Sequence, residues 1–447
     1  MTSLARRIAP RAIQLLTSPR TRAARRSLAE LQRRLRGEPH RVLYFHQVDD
    51  PYSQLAAQLL GELERRYEVE LAPWLVGPPS DEAAPERERL EAFARKDAAD
   101  VAPGYGLTFP AGTAPPDPAS VALATRILAA AIERGAFSAL AARVGSALFR
   151  GERAALDALA GEAGAAEPDA ASAALEAGSR ERERLGHYLG GMFYYGGEWY
   201  WGVDRLHFLE RRLQALGALR PGSRAAPIAK RPDFSKVAVP ASRGPRLVLE
   251  FYPSLRSPYT YIAMERAFAL TQRYPVNLAL RPVLPMAMRG LPVPRAKQLY
   301  ITLDTKREAE EAGVAFGRVC DPLGRPVERG FSLYPLACAK GRGGEYLHAF
   351  ARAAFAEGVE TGTDAGLRYV AERAGLAWEE ACAHLDREDW RDALEKNRMQ
   401  LFALGLWGVP SFRLVGGLGE PDYATWGQDR IWRIEQEIRR RLQPALA

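Results

Sequence analysis

Hydrophobic and polar positions follow the same order twice along the chain. Four apolar runs of strand length form two pairs with helical sequence inside each pair, at 41–46 with 67–71 and at 246–251 with 276–280. The second run of each pair is expected to end at a proline, Pro73 in the first half and Pro282 in the second. The start of each half is therefore predicted to be a strand, a helix and a strand.

The end of each half repeats as well. Trp201-Gly-Val-Asp-Arg matches Trp426-Gly-Gln-Asp-Arg, and each motif opens an amphipathic helix rich in Arg and Glu. Just upstream, short strand-like runs lead into Gly196-Gly197 and Gly416-Gly417, and this dipeptide is typical of a hairpin turn. Antiparallel closure of a parallel start predicts a mixed sheet flanked by helices.

Long helical stretches separate the two ends of each half, at 81–185 and 296–404. The 447 residues are therefore predicted to form two diverged copies of one α/β domain, each with a helical insertion. The predicted divisions are a basic arm at 1–40, a first domain at 41–220, a linker at 221–244 and a second domain at 245–440.

The formal net charge of +8 is concentrated in the arm, where ten Arg stand against two Glu, so the rest of the chain is neutral. This distribution argues against a specific nucleic-acid-binding face on the domains. The arm lacks the apolar core of a secretory signal, which predicts a cytoplasmic protein. Its Arg-rich sequence suits a weak contact with an anionic membrane surface, with a solvated helical arm as the alternative.

Several kinds of chemistry lack their usual residues. The three cysteines form no Cys-x-x-Cys pair and the six histidines are scattered, so no metal site is predicted. Phosphate-binding loops, dinucleotide-binding turns and nucleophile elbows are also absent from the sequence.

Chemistry is instead expected at Ser257, which precedes Pro258 between the first strand and the first helix of the second copy. A Ser before a Pro suits the N-cap and N1 positions, so helix capping alone explains this pair. The same helix end carries partial positive charge and exposed N–H groups, which favour an anion. Both interpretations hold together.

Two further motifs lie near the end of the second copy. Pro410 opens a predicted strand after Val409, and X-Pro bonds are mostly trans. A cis bond would turn the N–H and C=O of Val409 outward to pair with an extended ligand. Gln428 and Asp429 begin the last helix, where a carboxylate complements the helix dipole even without a ligand.

Three segments together resemble the DsbA-like thioredoxin superfamily: Phe251-Tyr-Pro-Ser-Leu-Arg-Ser-Pro-Tyr259, Gly408-Val-Pro410 and Trp426-Gly-Gln-Asp429. Within this superfamily, the three segments most resemble those of 2-hydroxychromene-2-carboxylate isomerase and the kappa-class glutathione transferases. The resemblance covers 244–440 well and 41–215 weakly. It implies tandem thioredoxin-like domains, glutathione as cofactor and a small aromatic or carboxylate substrate.

The resemblance also implies roles for single residues. Ser257 would hydrogen-bond the glutathione sulfur and favour its thiolate. The loop of Val409 and Pro410 would pair with the glutathione backbone, and Gln428 with Asp429 would hold its γ-glutamyl end. In the isomerases the thiolate adds reversibly to a conjugated substrate, and in the transferases it stays attached.

The sequence departs from this family after the second strand, where residues 288–292 (MRGLP) replace an Asn-x-Pro segment that helps to bind glutathione. Arg281, Arg289 and Lys306 are candidates for recognising a carboxylate instead, with a surface charge as the alternative role for each. Tyr259 is a further candidate for a substrate contact.

The first copy is predicted to be a structural partner or a lid. Asp50 replaces Ser257, and a carboxylate about 4 Å from a thiolate costs about 4 kcal/mol at an effective dielectric constant of about 20. Gly191-Met192 is expected to replace Val409-Pro410.

Three functions stay open from the sequence. They are a glutathione-dependent isomerase or transferase, an oxidoreductase by fold without a Cys-x-x-Cys motif, and a non-catalytic thioredoxin-fold binding protein. Dithiol exchange needs two neighbouring thiols, and neither predicted helix start carries one. The first function is therefore favoured.

Overall fold

The computed structural model describes residues 3–240, 246–416 and 419–443. The chain divides into two compact units, residues 23–232 and residues 233–447 with 1–22. The division at 232 lies within the predicted linker, of which residues 241–244 lie outside the described residues, as does Gly417 of the predicted second Gly-Gly turn.

Two helices occupy the predicted basic arm, α1 (Ser3–Thr17) and α2 (Pro19–Leu35). Ser18 caps α2, since its Oγ accepts a hydrogen bond from the N–H of Thr21 at 3.1 Å. None of the described helices is both long and apolar enough to cross a membrane.

A four-stranded mixed sheet of order β2-β1-β3-β4 forms the centre of the unit at 23–232. Its elements are β1 (His40–His46), α3 (Pro51–Ala57), α4 (Leu60–Arg66), β2 (Val69–Leu75), α5 (Arg87–Val101), a 3-10 turn (Ala102–Tyr105), α6 (Pro118–Glu133), α7 (Phe137–Phe149), α8 (Arg153–Ala163), α9 (Pro168–Arg184), β3 (Met192–Tyr195), β4 (Glu198–Trp201) and α10 (Gly202–Ala215). Strand β1 pairs in parallel with β2 and antiparallel with β3.

Two sequence expectations are decided in this unit. Strand β2 continues through Pro73 to Leu75, so the prediction that it ends at Pro73 is wrong. Because β2 is an edge strand, a proline without an N–H is tolerated there. The hairpin turn at Gly196-Gly197 is confirmed, since it joins Tyr195 to its partner Glu198.

The second unit contains a sheet of the same kind, with the order β6-β5-β7-β8. Its elements are β5 (Leu247–Tyr252), α11 (Pro258–Arg273), β6 (Val276–Leu280), a 3-10 turn (Met286–Arg289), α12 (Arg295–Glu311), α13 (Arg325–Ser332), α14 (Tyr334–Ala339), α15 (Gly343–Arg352), a π-helical turn (Ala353–Glu357), α16 (Asp364–Arg373), α17 (Trp378–Cys382), α18 (Arg391–Ala403), β7 (Ser411–Leu414), β8 (Tyr423–Trp426), a 3-10 turn (Gln428–Arg430) and α19 (Ile431–Leu442). The predicted tandem α/β architecture with helical insertions is confirmed.

The sheet of the second unit separates two environments. Leu249, Phe251, Phe412 and Leu414 face the hydrophobic core, where the rings of Phe251 and Phe412 stack with centroids 4.9 Å apart. Glu250 alternates with them and lies on the opposite face. Burial opposes its ionisation, but hydrogen bonds from Tyr252, Arg281 and Arg413 outweigh burial and hold the pKa of Glu250 below its usual value.

One polar contact recurs in both units. Tyr52 Oη donates to Asp97 Oδ2 at 2.8 Å, and Tyr259 Oη donates to Asp304 Oδ2 at 2.7 Å, each across 45 residues of sequence. Both carboxylates are buried. The contact holds α5 against the first turn of α3 in the first unit, and α12 against the first turn of α11 in the second.

The packing of α9 on β2 predicts a sharp difference between two helical glycines. A Cβ on Gly178 of α9 would lie 1.9 Å from the carbonyl oxygen of Leu75, whereas a Cβ on Gly161 of α8 would meet no atom within 4 Å. We expect Gly178→Ala to lower the free energy of unfolding by about 1–3 kcal/mol. Gly161→Ala is the matched control and should raise it by about 0.5–1 kcal/mol, because alanine favours helix. Urea unfolding followed by circular dichroism tests both, and equal midpoints would contradict this packing.

Candidate functional site

Ser257 is the N-cap of α11, as predicted. Its extended backbone (φ −98°, ψ 111°) places Oγ to accept a hydrogen bond from the N–H of Thr260 at 3.1 Å, while Pro258 occupies the first helical position. The side chain is partly exposed, and among the described residues no acceptor binds its hydroxyl proton. Ser257 thus leaves one hydrogen-bond donor open at the positive end of a 16-residue helix.

The peptide before β7 lies at the same edge of the sheet. Ser411 pairs with Tyr252, the last residue of β5, so the chain entering β7 passes beside the chain that leads to Ser257. The Val409–Pro410 bond is cis, although a trans bond was favoured from sequence. The carbonyl of Pro410 accepts the N–H of Gly427 at 2.8 Å, which fixes this loop to the end of β8.

Val409 presents unused backbone groups. In the described part of the chain, neither its N–H nor its C=O has a hydrogen-bond partner, and the residue is partly exposed. Gly408 allows the loop to lie close to β8, since a Cβ there would be 2.2 Å from the ring of Trp426. The Val409 peptide can therefore pair with the backbone of an extended ligand.

Gln428 and Asp429 lie in the 3-10 turn before α19, and both are buried. The amide of Gln428 is engaged within the protein: Nε2 donates to Glu308 Oε2 at 2.8 Å and to Asp429 Oδ1 at 2.5 Å, and Arg266 donates to its Oε1. Gln428 therefore holds Asp429 in place in this arrangement.

Arg281, Arg289 and Lys306 do not gather into one cationic pocket. Arg281 pairs with Glu250 on the sheet face away from the core, with Nη2 and Oε1 3.0 Å apart. Lys306 donates to the carbonyl of Phe316 at 2.8 Å. Arg289 alone reaches the loop before β7, where Nη2 donates to the carbonyl of Trp407 at 3.0 Å.

Helix α12 contacts the start of α11 through a residue that the sequence analysis did not single out. Lys297, Tyr300 and Asp304 recur at i, i+3 and i+7, so they share one helix face, and Asp304 binds Tyr259 two residues after Ser257. Burial lowers the pKa of Lys297 to about 8. Their spacing was the available signal, but it gains meaning only once Asp304 is seen to contact the start of α11.

The equivalent place in the first copy has different contacts. Asp50 caps α3 by accepting the N–H of Ser53 at 2.8 Å and its hydroxyl at 2.7 Å. Met192 pairs with Trp201 as Ser411 pairs with Trp426, so Gly190-Gly191 replaces Val409-Pro410 and the expected Gly191-Met192 is one residue out of register. A Cβ on Gly190 would lie 3.0 Å from Ser53 Oγ, so backbone packs directly against the cap.

Neither helix start carries a thiol. None of Cys320, Cys338 and Cys382 forms a disulfide, and none lies in the loops that lead to α3 or α11. Within the described residues, no three His, Cys, Asp or Glu side chains are grouped to hold a metal ion.

One known family matches part of the chain. Residues 248–439 match the family model of the DSBA-like thioredoxin domain. A similar solved structure is a 2-hydroxychromene-2-carboxylate isomerase (21% identity, covering 43% of this chain and 95% of that chain, TM-score 0.37). No curated protein matches the chain.

Two further similar structures are bacterial. One is the cytosolic disulfide reductase DsbM from Pseudomonas aeruginosa (21% identity, 44% of this chain, 100% of that chain, TM-score 0.35), also solved with GSH. The other is a probable DsbA oxidoreductase from Streptomyces coelicolor (22% identity, 43% of this chain, 88% of that chain, TM-score 0.35).

The Asp50 cap of the first copy predicts a pH dependence of stability. Burial raises the pKa of Asp50 to about 6, against opposing hydrogen bonds from Ser53 and Tyr52. The folded state then holds a proton that the unfolded chain releases near pH 4, so this group's contribution to the free energy of unfolding is lost as pH rises from about 4 to about 6. Asparagine caps a helix equally well. Asp50→Asn should match the wild type at pH 4 and be more stable by roughly 2 kcal/mol at pH 7.

Urea unfolding at a series of pH values measures this difference. The exposed neighbour Asp49, changed to Asn, is the matched control and should shift the wild-type curve only slightly, because its charge is the smallest contribution to the raised pKa of Asp50. The same pH dependence in Asp50→Asn as in the wild type would show that Asp50 is not the titrating group.

Proposed function

Because residues 248–439 match the family model of the DSBA-like thioredoxin domain, we propose that this part of the chain is a glutathione-dependent enzyme of the isomerase or transferase type. The observation that carries the proposal is the Ser257 hydroxyl, which is partly exposed at the N-terminus of α11. It accepts a hydrogen bond from Thr260 but donates none to any described residue. A sulfur anion at that point would receive a hydrogen bond and lie at the positive end of the helix dipole. Both effects lower the pKa of a thiol.

The neighbouring backbone suits a tripeptide ligand. Val409 offers one N–H and one C=O at the sheet edge that also holds Ser257, and β-strand-like pairing uses one donor and one acceptor of this kind. Gln428 fits a ligand contact less well, because Glu308 and Arg266 already bind its amide. We assign to Gln428 the positioning of Asp429, and to Asp429 the γ-glutamyl end.

When bound, glutathione would supply a thiolate that adds reversibly to a conjugated substrate in an isomerase, or stays attached to it in a transferase. The residues of this chain would hold that sulfur and orient the substrate. Thr260 N–H fixes the Ser257 oxygen, so its proton is directed away from the helix. Arg289, beside the Val409 loop through the carbonyl of Trp407, is the candidate for a substrate carboxylate.

The same observations weigh against dithiol exchange. That reaction needs a thiol at the start of α11, and the described cysteines lie elsewhere. A non-catalytic thioredoxin-fold binding protein is the second candidate, because the buried and internally bonded Gln428 leaves one implied ligand contact unused. A cytoplasmic location accompanies the proposal, since glutathione is kept reduced there.

Ser257→Ala is expected to raise the thiol pKa of bound glutathione by about one unit, because it removes the donor to the anion. The thiolate absorbance of the complex in the ultraviolet, followed against pH, measures this pKa. S-methylglutathione has no thiol to ionise, so it should bind both proteins equally. Loss of the cap costs about 1 kcal/mol of stability, and Ser257→Gly, which costs only a few tenths, separates misfolding from the loss of the hydroxyl.

The first copy supplies the matched control. Asp50→Ser places the same hydroxyl at the start of α3, but Gly190 backbone still packs against it. Calorimetry should therefore give one glutathione per chain in the wild type and in Asp50→Ser. The proposal fails if the wild type binds no glutathione, or if the thiol pKa is the same with and without the Ser257 hydroxyl.

A further inference from the structure

Helix α2 exposes an apolar stripe. Leu28, Leu31 and Leu35 are 56%, 54% and 78% exposed, and Ala24, also exposed, precedes them. Spacings of four, three and four residues place all four side chains on one side of a helix with 3.6 residues per turn. Single exposed leucines are ordinary, but a stripe along three helical turns marks a surface that contacts something.

Arginines border this stripe. Residues 19–36 contain seven Arg and one Glu. Glu30 lies on the opposite side of the helix, where Arg33 Nη2 binds its Oε1 at 2.7 Å. Arg25 flanks the leucines, is exposed and has no ion-pair partner among the described residues. Arg36, 68% exposed, reaches only Glu38, at 3.8 Å.

The orientation of the helix is fixed from its inner side. Arg26 forms two hydrogen bonds with Glu198 of β4, at 2.6 and 2.8 Å. This bidentate contact turns Arg26 toward the unit, and the stripe, on the other side of the helix, therefore faces solvent. The inner cations are paired closely with carboxylates of the chain, whereas beside the leucines Arg36 has only the long contact with Glu38 and Arg25 has no ion pair among the described residues.

We propose that α2 binds the surface of an anionic lipid bilayer. The helix would lie in the plane of the interface, with its leucines at the acyl boundary and Arg25 and Arg36 among the headgroups. The charge of α2 favours an anionic bilayer over other partners. A second copy of α2 would bring another strongly basic helix against the first, and like charges oppose that contact, whereas anionic headgroups neutralise the excess arginines.

Flotation with vesicles tests the proposal on the full chain. The probes are vesicles of phosphatidylcholine alone and vesicles in which part of it is replaced by phosphatidylglycerol. We expect the chain to float with the anionic vesicles only, and to be released at high salt. Changing Leu28, Leu31 and Leu35 together to Gln should lower the bound fraction at least about tenfold, because their apolar area no longer enters the interface.

Two controls make the outcome specific. Leu323→Gln removes an exposed leucine outside α2 and should leave binding unchanged. Arg25→Gln with Arg36→Gln should weaken binding roughly fivefold per charge. Circular dichroism verifies that each variant is folded. A wild type that does not float with the anionic vesicles overturns the proposal, and so does equal flotation of the wild type and the triple Leu variant. Self-association that the triple variant abolishes would then identify a second copy of the chain as the partner of α2.

Discussion

The antiparallel pairing of β5 with β7 determines where the chemistry of the second copy can lie. Because Tyr252 is opposite Ser411, the chain that leaves β5 for Ser257 and the chain that enters β7 from Pro410 meet at one sheet edge. Neither segment has a local preference for the other. The register of the sheet alone therefore brings a helix N-terminus with an open hydroxyl and a peptide with open hydrogen-bonding groups to the same end of the sheet.

The first copy has the same register and the opposite electrostatics. Phe45 is opposite Met192, so Asp50 occupies the place of Ser257. The carboxylate caps its helix, but Gly190 backbone closes on it and burial raises its pKa to about 6. His46 does not offset this effect, since burial lowers its pKa to about 3 and it carries no charge near neutrality. An anionic sulfur would meet a carboxylate there, whereas at Ser257 it would meet a donor.

The sequence predicted those parts of the site that depend on neighbouring residues. The N-cap at Ser257 follows from a Ser before a Pro, and the repeated strands follow from apolar runs of the right length. Contacts between distant residues were not predictable, because no local pattern encodes them: the Tyr259–Asp304 bond spans 45 residues, and the engagement of Gln428 by Glu308 spans 120. The sequence analysis aligned Gly191-Met192 with Val409-Pro410, one residue away from the true counterpart, Gly190-Gly191. The reason is the same, because only the pairing of the strands fixes this alignment.

The duplication separates structural residues from candidates for chemistry. Tyr52 with Asp97 and Tyr259 with Asp304 make the same bond in both copies, so this contact serves the frame, whether or not a ligand binds. Tyr259 and Asp304 each follow their counterparts in the first copy, Tyr52 and Asp97, by 207 residues. With the same spacing, Leu90 of α5 is the counterpart of Lys297 of α12. Burial lowers the pKa of the partly exposed Lys297 to about 8, whereas an uncharged leucine fills the equivalent position in the first copy. The frame that the two copies share therefore does not require Ser257, Val409 or Lys297 at these positions, although Ser257 also caps α11.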